Sequence, residues 1–136
     1  MKLLMFQAER FAWHPFQRVL PEAEEAEGRT ELSDVTVIFI HAETSDQATS
    51  SKTVTKAIKN IKWLARKRGL SEIVLHSFTH LGGDTAEPAL ARDLMEDIAE
   101  RLRQVDLEVW CTPFGWVCEW ELAVYGESLA KVFKAI

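Results

Sequence analysis

Short apolar segments along the chain predict five β-strands. Val35–Ile40 reads VTVIFI, which is β-branched and almost wholly apolar, and therefore typical of a strand covered on both faces. Residues 2–8 and 116–124 alternate between apolar and polar positions, as half-buried strands do. Two shorter runs, residues 72–75 and 107–110, complete the set. The polar segments between these runs are expected to be loops and helices.

Apolar residues at helical spacing predict two main helices. The first begins at Ser50 or Ser51, which suit an N-cap, and ends at Gly69. The second is capped by Asp84-Thr85 and carries Pro88 in its first turn, where a helix tolerates proline. The buried stripes of these helices are Val54, Ala57, Ile58, Ile61, Leu64 and Ala65 in the first and Leu90, Leu94, Met95, Ile98 and Leu102 in the second.

Residues 127–135 are expected to form a short closing helix, which gives the order β, β, α, β, α, β, β, α. This order describes one α/β domain over residues 1–136, with a β-sheet core flanked by two main helices and a short C-terminal helix. The chain has 136 residues, of which 47% are hydrophobic, and this is enough for one buried core.

No apolar run approaches the roughly 18 residues of a membrane span, and no signal-peptide cleavage site follows Met1–Phe6. We therefore expect a cytoplasmic protein without a membrane partner.

Two polar loops that follow predicted strands contain histidine, serine, threonine and cysteine side chains, which can bind ligands or take part in catalysis. The first, residues 76–83, reads HSFTHLGG, and the second, residues 111–115, reads CTPFG. Their glycines allow the backbone to approach a small ligand closely. His41, His76 and Cys118 invite a zinc interpretation, but no CxxC or HExxH spacing supports it. Histidines that are solvated or stabilise turns are the simpler interpretation, and both cysteines are expected to be free thiols.

The order of these loops around the second helix resembles the editing domain of archaeal-type threonyl-tRNA synthetases. The resemblance is carried by Phe78-x-His80-Leu81 after a strand, by Pro88 at the start of the next helix, and by Pro113-Phe114-Gly115 after the following strand. It extends from Val35 to the C-terminus. It implies the fold of the D-aminoacyl-tRNA deacylases, and an activity that hydrolyses mischarged aminoacyl-tRNA.

The resemblance also implies the positions of the site. The first loop would bind the aminoacyl group through backbone groups and a histidine, with His80 as the candidate catalytic side chain. The second loop would shape the pocket for the terminal adenosine, and the small side chain of Ala42 would line the pocket or simply pack. No metal or other cofactor is expected. The implied substrate-binding residues are Ala42, Ser77, Phe78, Thr79, Pro113, Phe114, Gly115, Trp116, Val117 and Lys131.

Two positions depart from the family pattern. Cys118 stands where the family carries a lysine that helps to orient the substrate or its attacking water, and a thiol does not replace a cationic donor. Lys131 stands where the family carries an acidic residue. Activity persists if positioning and backbone donors carry catalysis; otherwise the chain binds without turnover. A third interpretation makes Cys118 a covalent nucleophile activated by His80.

The net charge of −5 argues against broad adhesion to a nucleic-acid backbone, but a protein that holds one terminal nucleotide needs few phosphate contacts. Lys52, Lys56 and Lys59 lie opposite the apolar stripe of the first helix. They form either a solvated face or a contact with tRNA acceptor-stem phosphates. The acidic run at residues 21–28 is expected to be a solvated loop.

The resemblance therefore implies an editing module that acts in trans on the 3′ end of aminoacyl-tRNA, with Ser-tRNA(Thr) as the expected substrate. The alternative is a catalytically inactive module that binds aminoacyl-tRNA ends, or that binds a threonyl-tRNA synthetase lacking its own editing domain. The resemblance also implies a homodimer. Trp110, Trp116 and Trp120 are candidates for stacking on a terminal base, and Trp116 is the first choice because it follows Phe114-Gly115. Trp116 and Trp120 could equally pack in the core or in a dimer interface.

Overall fold

The longest strand organises a six-stranded sheet. The computed structural model describes all residues from Met1 to Ile136. β1 (Lys2–Arg18) pairs along one edge with β2 (Thr30–His41), and the two strands are antiparallel. Its other edge has two partners, because residues 8–18 pair with β5 (Trp116–Val124) and residues 2–6 pair with β6 (Lys131–Ala135).

The remaining two strands run parallel to β2. β3 (Glu72–Ser77) pairs with β2, and β4 (Glu108–Cys111) pairs with β3. The strand order is therefore β4-β3-β2-β1-β5, with β6 as a second partner of β1. Since β2, β3 and β4 point the same way, their carboxyl ends lie at one edge of the sheet.

Two helices cover one face of this sheet. α1 (Ser50–Arg68) ends at Gly69, whose φ of 69° lies in the left-handed region that favours glycine. α2 (Pro88–Arg103) begins with its proline in the first turn, as expected. Both helices bury most of the apolar stripes read from the sequence in a core cluster of 21 residues, while Ile58 and Leu90 are only partly buried and pack against this cluster. Neither helix has a stretch long and apolar enough to cross a membrane.

The opposite face of the sheet is aromatic, and its buried cluster contains no residue from either helix. Phe39 is central: its ring centroid lies 5.6 Å from Phe6, 5.3 Å from Trp120 and 5.0 Å from Phe78. Trp120 is 42% exposed. This face, which we call the aromatic face, is therefore covered only in part by the chain itself.

The structure confirms an α/β domain built on a sheet with two main helices. The predicted C-terminal helix is wrong, because Ser128–Ala130 forms only a single 3-10 turn and the chain then continues as β6. The physical reason is the free backbone edge of residues 2–6, which β5 leaves unpaired because its pairing starts at Ala8. Strand pairing at this edge satisfies the backbone of a segment that is too short for a stable helix alone.

The N-cap of α2 also differs from the prediction, because Glu87 rather than Asp84-Thr85 precedes the first helical residue. The carboxylate of Asp84 instead accepts two hydrogen bonds from Thr44, one from its backbone N–H at 3.0 Å and one from its hydroxyl at 2.7 Å. Asp84 thereby links the loop after β3 to the turn that precedes α1.

His76 is buried near the carboxyl end of β3 and fixes that end in two ways. Its ring lies 4.9 Å from the ring of Phe39, and its Nδ1 lies 2.9 Å from the hydroxyl of Thr112 in the loop after β4. Burial lowers the pKa of His76 to about 4, because the charged imidazolium loses its hydration.

This histidine should make folding stability depend on pH. In the unfolded chain a histidine has a pKa near 6.5, so between pH 6.5 and pH 4 the unfolded state binds more protons than the folded state. The contribution of neutral His76 to folding stability is therefore fully present above pH 6.5 and is lost as the pH falls towards 4. We expect His76 to account for a loss of about 2 kcal/mol in the free energy of unfolding between pH 7 and pH 5.

Urea denaturation of the wild type and of His76→Gln at the two pH values checks this expectation. Glutamine retains a hydrogen-bonding side chain but does not titrate. The free energy of unfolding of the variant should therefore fall by about 2 kcal/mol less than that of the wild type between pH 7 and pH 5. Equal pH dependence in the two proteins would contradict the assignment.

Candidate functional site

The loops that follow β3 and β4 meet at the carboxyl edge of the parallel strands and enclose a cavity of about 330 Å³. The start of α2 and the segment after β1 complete its wall through Pro88, Val19 and Leu20. Ten of the residues predicted from the sequence line this one cavity: Ser77, Phe78, Thr79, His80, Pro113, Phe114, Gly115, Trp116, Val117 and Cys118.

His41 holds the first loop in place from beneath. Its side chain is fully buried at the end of β2, and its Nδ1 accepts a hydrogen bond of 2.9 Å from the N–H of Leu81. Nε2 therefore carries the ring proton and donates it to the carbonyl oxygen of Asp84 at 2.6 Å. Two backbone hydrogen bonds complete the attachment. The N–H of Phe78 donates to the carbonyl oxygen of Ile40, and the N–H of Ala86 donates to the carbonyl oxygen of Ala42.

Between these attachment points, the backbone N–H groups of Thr79 and His80 make no hydrogen bond within the chain. Both residues are exposed and line the cavity. Phe78 is half-buried, and its ring packs edge-on against that of His80 at 5.2 Å. The loop thus presents two free donors beside an imidazole on a backbone fixed at both ends.

The second loop turns sharply at Gly115, and the segment after β1 packs against it. Gly115 has a φ of 84°, and its carbonyl oxygen accepts hydrogen bonds from Val19 at 2.8 Å and Leu20 at 3.1 Å. A Cβ atom at Gly115 would lie only 2.7 Å from the Cβ of Ala23, so both the conformation and the space require glycine. The indole N–H of Trp116 donates to the carbonyl oxygen of Glu24 at 2.9 Å.

The acidic run at residues 21–28 is a loop, as predicted, but it is not simply solvated. Leu20 and Ala23 are half-buried against the second loop. The same segment borders a neighbouring cavity of about 560 Å³, which shares five residues with the first: Leu20, Pro88, Thr112, Pro113 and Phe114. The apolar residues spaced through this acidic run were the signal that could have predicted its packing.

The cavity has a distinctive electrostatic character. No Asp, Glu, Lys or Arg side chain lines it. Its polar side chains include the hydroxyls of Ser77, Thr79, Thr85 and Thr112 and the imidazoles of His76 and His80. The rest of its wall consists of four aromatic residues together with small and aliphatic ones. Such a wall suits a stacked base and a small polar group better than a charged one.

Cys118 lies on β5 and is half-buried in the cavity wall. Burial raises the pKa of its thiol, because the thiolate would lose hydration. A raised pKa lowers the thiolate fraction at neutral pH and opposes the nucleophile interpretation. Both cysteines are free thiols, as expected.

Two predicted substrate-binding residues do not reach the cavity. Ala42 is 5% exposed and packs in the main core cluster. Lys131 lies at the start of β6, where its Nζ donates to the carbonyl oxygen of Tyr125 at 2.9 Å. Lys52, Lys56 and Lys59 are exposed on α1 and also lie outside this cavity.

The other side chains considered from the sequence have structural partners. Both ring nitrogens of His41 are engaged, and no group of three His, Cys, Asp or Glu side chains converges to hold a metal ion. The indole N–H of Trp110 donates to Glu72 at 3.0 Å, whereas Trp116 and Trp120 both line the cavity. The interpretation of His41 as a histidine that stabilises a turn is confirmed, but the sequence did not show which loop this side chain holds.

Comparison with known proteins places this chain in a family. Residues 1–136 match the profile of the family described as "Archaea-specific editing domain of threonyl-tRNA synthetase". The chain is 31% identical over 140 residues to the threonine–tRNA ligase of Staphylothermus marinus and 28% identical over 138 residues to that of Thermofilum pendens. Each alignment covers 100% of this chain but 22% of the relative, so the chain spans about a fifth of the length of these relatives.

A solved structure of a protein named "c-Myc DNA Unwinding Element Binding Protein" has the same fold. It matches with a TM-score of 0.66 at 12% identity, and the match covers 100% of this chain and 99% of that chain. At this identity the likeness shows the fold alone, and it confirms the expected D-aminoacyl-tRNA deacylase-like architecture. The resemblance inferred from the two loops is confirmed as well: the chain belongs to the family of archaea-specific editing domains of threonyl-tRNA synthetase, and tRNA editing is the class of activity that this membership implies.

Proposed function

We propose that residues 1–136 act as one editing domain that hydrolyses mischarged aminoacyl-tRNA, with Ser-tRNA(Thr) as the preferred substrate. Family membership supports the class of reaction. The observation that carries the proposal for this chain is the uncharged cavity in which ten residues expected from the sequence come together at one edge of the sheet. In this proposal the domain works in the cytoplasm and does not need to be joined to a synthetase catalytic core.

The terminal adenosine binds on the side of Phe114 and Trp116, where aromatic side chains offer stacking surfaces. The aminoacyl group lies against Phe78, Thr79 and His80. The free N–H groups of Thr79 and His80 donate to the ester carbonyl oxygen as it gains negative charge. Water attacks the carbonyl carbon, the bond to the ribose oxygen breaks, and the products are the free amino acid and a tRNA with a free terminal hydroxyl.

No carboxylate lines the cavity, so positioning carries more of this reaction than general-base chemistry by an acidic side chain. His80 orients the ester and the attacking water together with the ribose hydroxyl of the tRNA itself. His76 does not share this role, because it is buried against Thr112 and its pKa of about 4 keeps it neutral.

Discrimination between serine and threonine depends on one methyl group. A bare apolar contact provides only ~1–3 kcal/mol for such a difference, so steric exclusion by a rigid backbone is the stronger device. The loop after β3 has this rigidity because the bonds from Phe78, Leu81 and Ala86 fix it at three points to the end of β2.

Two further contacts complete the proposal. Lys52, Lys56 and Lys59 contact phosphates of the tRNA acceptor stem, since all three are exposed on α1. The domain pairs with a second copy through the aromatic face. Phe133 is 52% exposed and lies opposite Leu4 in the sheet, so it extends this face onto β6.

A second function is favoured by the loss of the family lysine at Cys118. In this alternative the chain binds aminoacyl-tRNA ends without turnover, or it binds a threonyl-tRNA synthetase that lacks an editing domain. Lys131 does not compensate for the lost cation, because its Nζ is bonded to Tyr125 outside the cavity.

The rate of ester hydrolysis decides between these functions. The purified chain is incubated with Ser-tRNA(Thr) and with Thr-tRNA(Thr), and the release of each amino acid is followed. We expect serine to be released at least about tenfold faster than threonine. His80→Ala should slow serine release by at least about tenfold, because the ester and the water lose their alignment. Release of serine no faster than without protein would contradict hydrolysis and support the binding module.

The role of Cys118 is tested separately with Cys118→Ser. Since burial raises the pKa of this thiol, we expect serine release to stay within about twofold of the wild type. A loss as large as that of His80→Ala, together with a seryl adduct detected by mass spectrometry in the wild type, would establish Cys118 as the nucleophile and contradict this assignment.

Dimerisation is tested by light scattering at micromolar concentration. Phe133→Glu places a charge on the aromatic face and should give the mass of one chain, while the wild type gives the mass of two. Val105→Glu is the matched control, because Val105 is 43% exposed but follows α2 on another part of the surface. A wild type with the mass of a single chain would contradict the proposed dimer.

A further inference from the structure

The outer surface of α1 carries a continuous cationic stripe with a tryptophan in it. Lys52, Lys56, Lys59, Trp63 and Lys67 follow one another at spacings of three and four residues and therefore lie on one side of the helix. No Asp or Glu occurs between Ser50 and Arg68. In a chain with a net charge of −5, this is a segregation of cations and not a general excess.

Trp63 lies between two shallow grooves. It is 38% exposed, and the ammonium groups of Lys67 and Lys134 lie 5.8 Å and 5.7 Å from its ring centroid. One groove, of about 450 Å³, is bordered by Lys56, Lys59 and Lys134. The other, of about 630 Å³, is bordered by Lys59, Lys62, Arg66, Lys67 and Arg101.

The charges along these grooves are not neutralised within the chain. Neither groove is lined by an acidic side chain, and none of the cations that border them forms a salt bridge. The chain has 11 salt-bridge contacts, all of which involve other basic groups. Cations held close together without counter-charges favour an anionic partner that supplies several charges at once.

We propose that this face binds the sugar–phosphate backbone of an RNA in the two grooves and stacks one unpaired base on Trp63. An aromatic ring between rows of cations matches the pattern by which proteins hold single-stranded nucleic acid. The proposal rests on the proposed function, because a tRNA is the RNA that an editing domain meets. It extends that function from phosphate contacts by Lys52, Lys56 and Lys59 to a separate base-stacking point.

The stacking point is distinct from the cavity. Trp63 lies 11 residues along α1 from Lys52, which corresponds to about 16 Å of helix. α1 starts next to the turn that Asp84 links to the first loop, so the stripe leads away from the cavity edge towards the amino end of β3. A substrate that consists only of the terminal nucleotides of a tRNA would reach the cavity but not Trp63.

The test measures affinity for uncharged RNA, so that it does not depend on hydrolysis. The probes are a fluorescently labelled 12-nucleotide oligouridylate and an uncharged threonine tRNA transcript. We expect Trp63→Ala to weaken oligouridylate binding by about tenfold or more, and Trp63→Phe to restore most of the affinity. Lys59→Gln combined with Lys67→Gln should weaken binding. It should also reduce the steepness of the slope of log K, the association constant, against the logarithm of salt concentration by about 1.4.

The matched control is Arg10→Gln combined with Arg29→Gln. It removes the same number of positive charges from residues that border neither groove, since both arginines lie beside Glu31 and Glu121. It should leave RNA affinity within about twofold of the wild type, since neither arginine lies where the RNA is proposed to bind.

Three results would overturn the inference: unchanged oligouridylate affinity in Trp63→Ala, an equal loss in the arginine control, or binding of a 12-residue polyglutamate peptide as tight as that of RNA. The last result would identify a surface for acidic proteins. Hydrolysis of 3′-O-seryl-adenosine by the wild type is followed in parallel. Because this ester is too short to reach Trp63, its hydrolysis reports on the proposed function alone.

Discussion

The candidate site forms where it does because β2, β3 and β4 pair in parallel. This pairing brings the carboxyl ends of three strands to one edge, and so places the loops that follow β3 and β4 side by side. If any of these pairings were antiparallel, one loop would lie at the opposite edge and the cavity would not form. The antiparallel part of the sheet has a supporting role, because β5 carries Trp116, Val117 and Cys118 into the wall of the same cavity.

The site is built from backbone held by buried side chains. His41 uses both ring nitrogens to fix the loop that presents Thr79 and His80, and Gly115 accepts two backbone bonds that hold the second loop against the segment after β1. A cavity of this kind keeps its shape when side chains in its wall change. In the proposed function, Cys118 can therefore replace the lysine that the resemblance predicts at this position, provided that positioning and backbone donors supply most of the stabilisation of the transition state.

The sequence predicted those parts of the fold in which periodicity is strong. The buried stripes of α1 and α2 and the apolar run of β2 were recognised because their spacing agrees with one type of structure. The second half of β1 was missed because Pro15 and two register shifts interrupt its alternation. The segment containing Val132 and Phe133 was assigned to a helix because its pairing with residues 2–6 depends on contacts that are distant in sequence. For the site, the sequence located both loops, since their residues are contiguous, but not the supports beneath them. The role of His41 depends on the position of a loop some 40 residues away, and this relation appears only once the chain is folded.

We propose that free backbone donors of the first loop hold the ester, and amide chemical shifts report on this contact directly. A non-hydrolysable amide analogue of 3′-seryl-adenosine is added to isotopically labelled protein. We predict that the largest shifts fall on the N–H groups of Thr79 and His80, with smaller shifts at residues 113–118. Saturable binding that leaves these two N–H groups unchanged would show that they do not hold the ester.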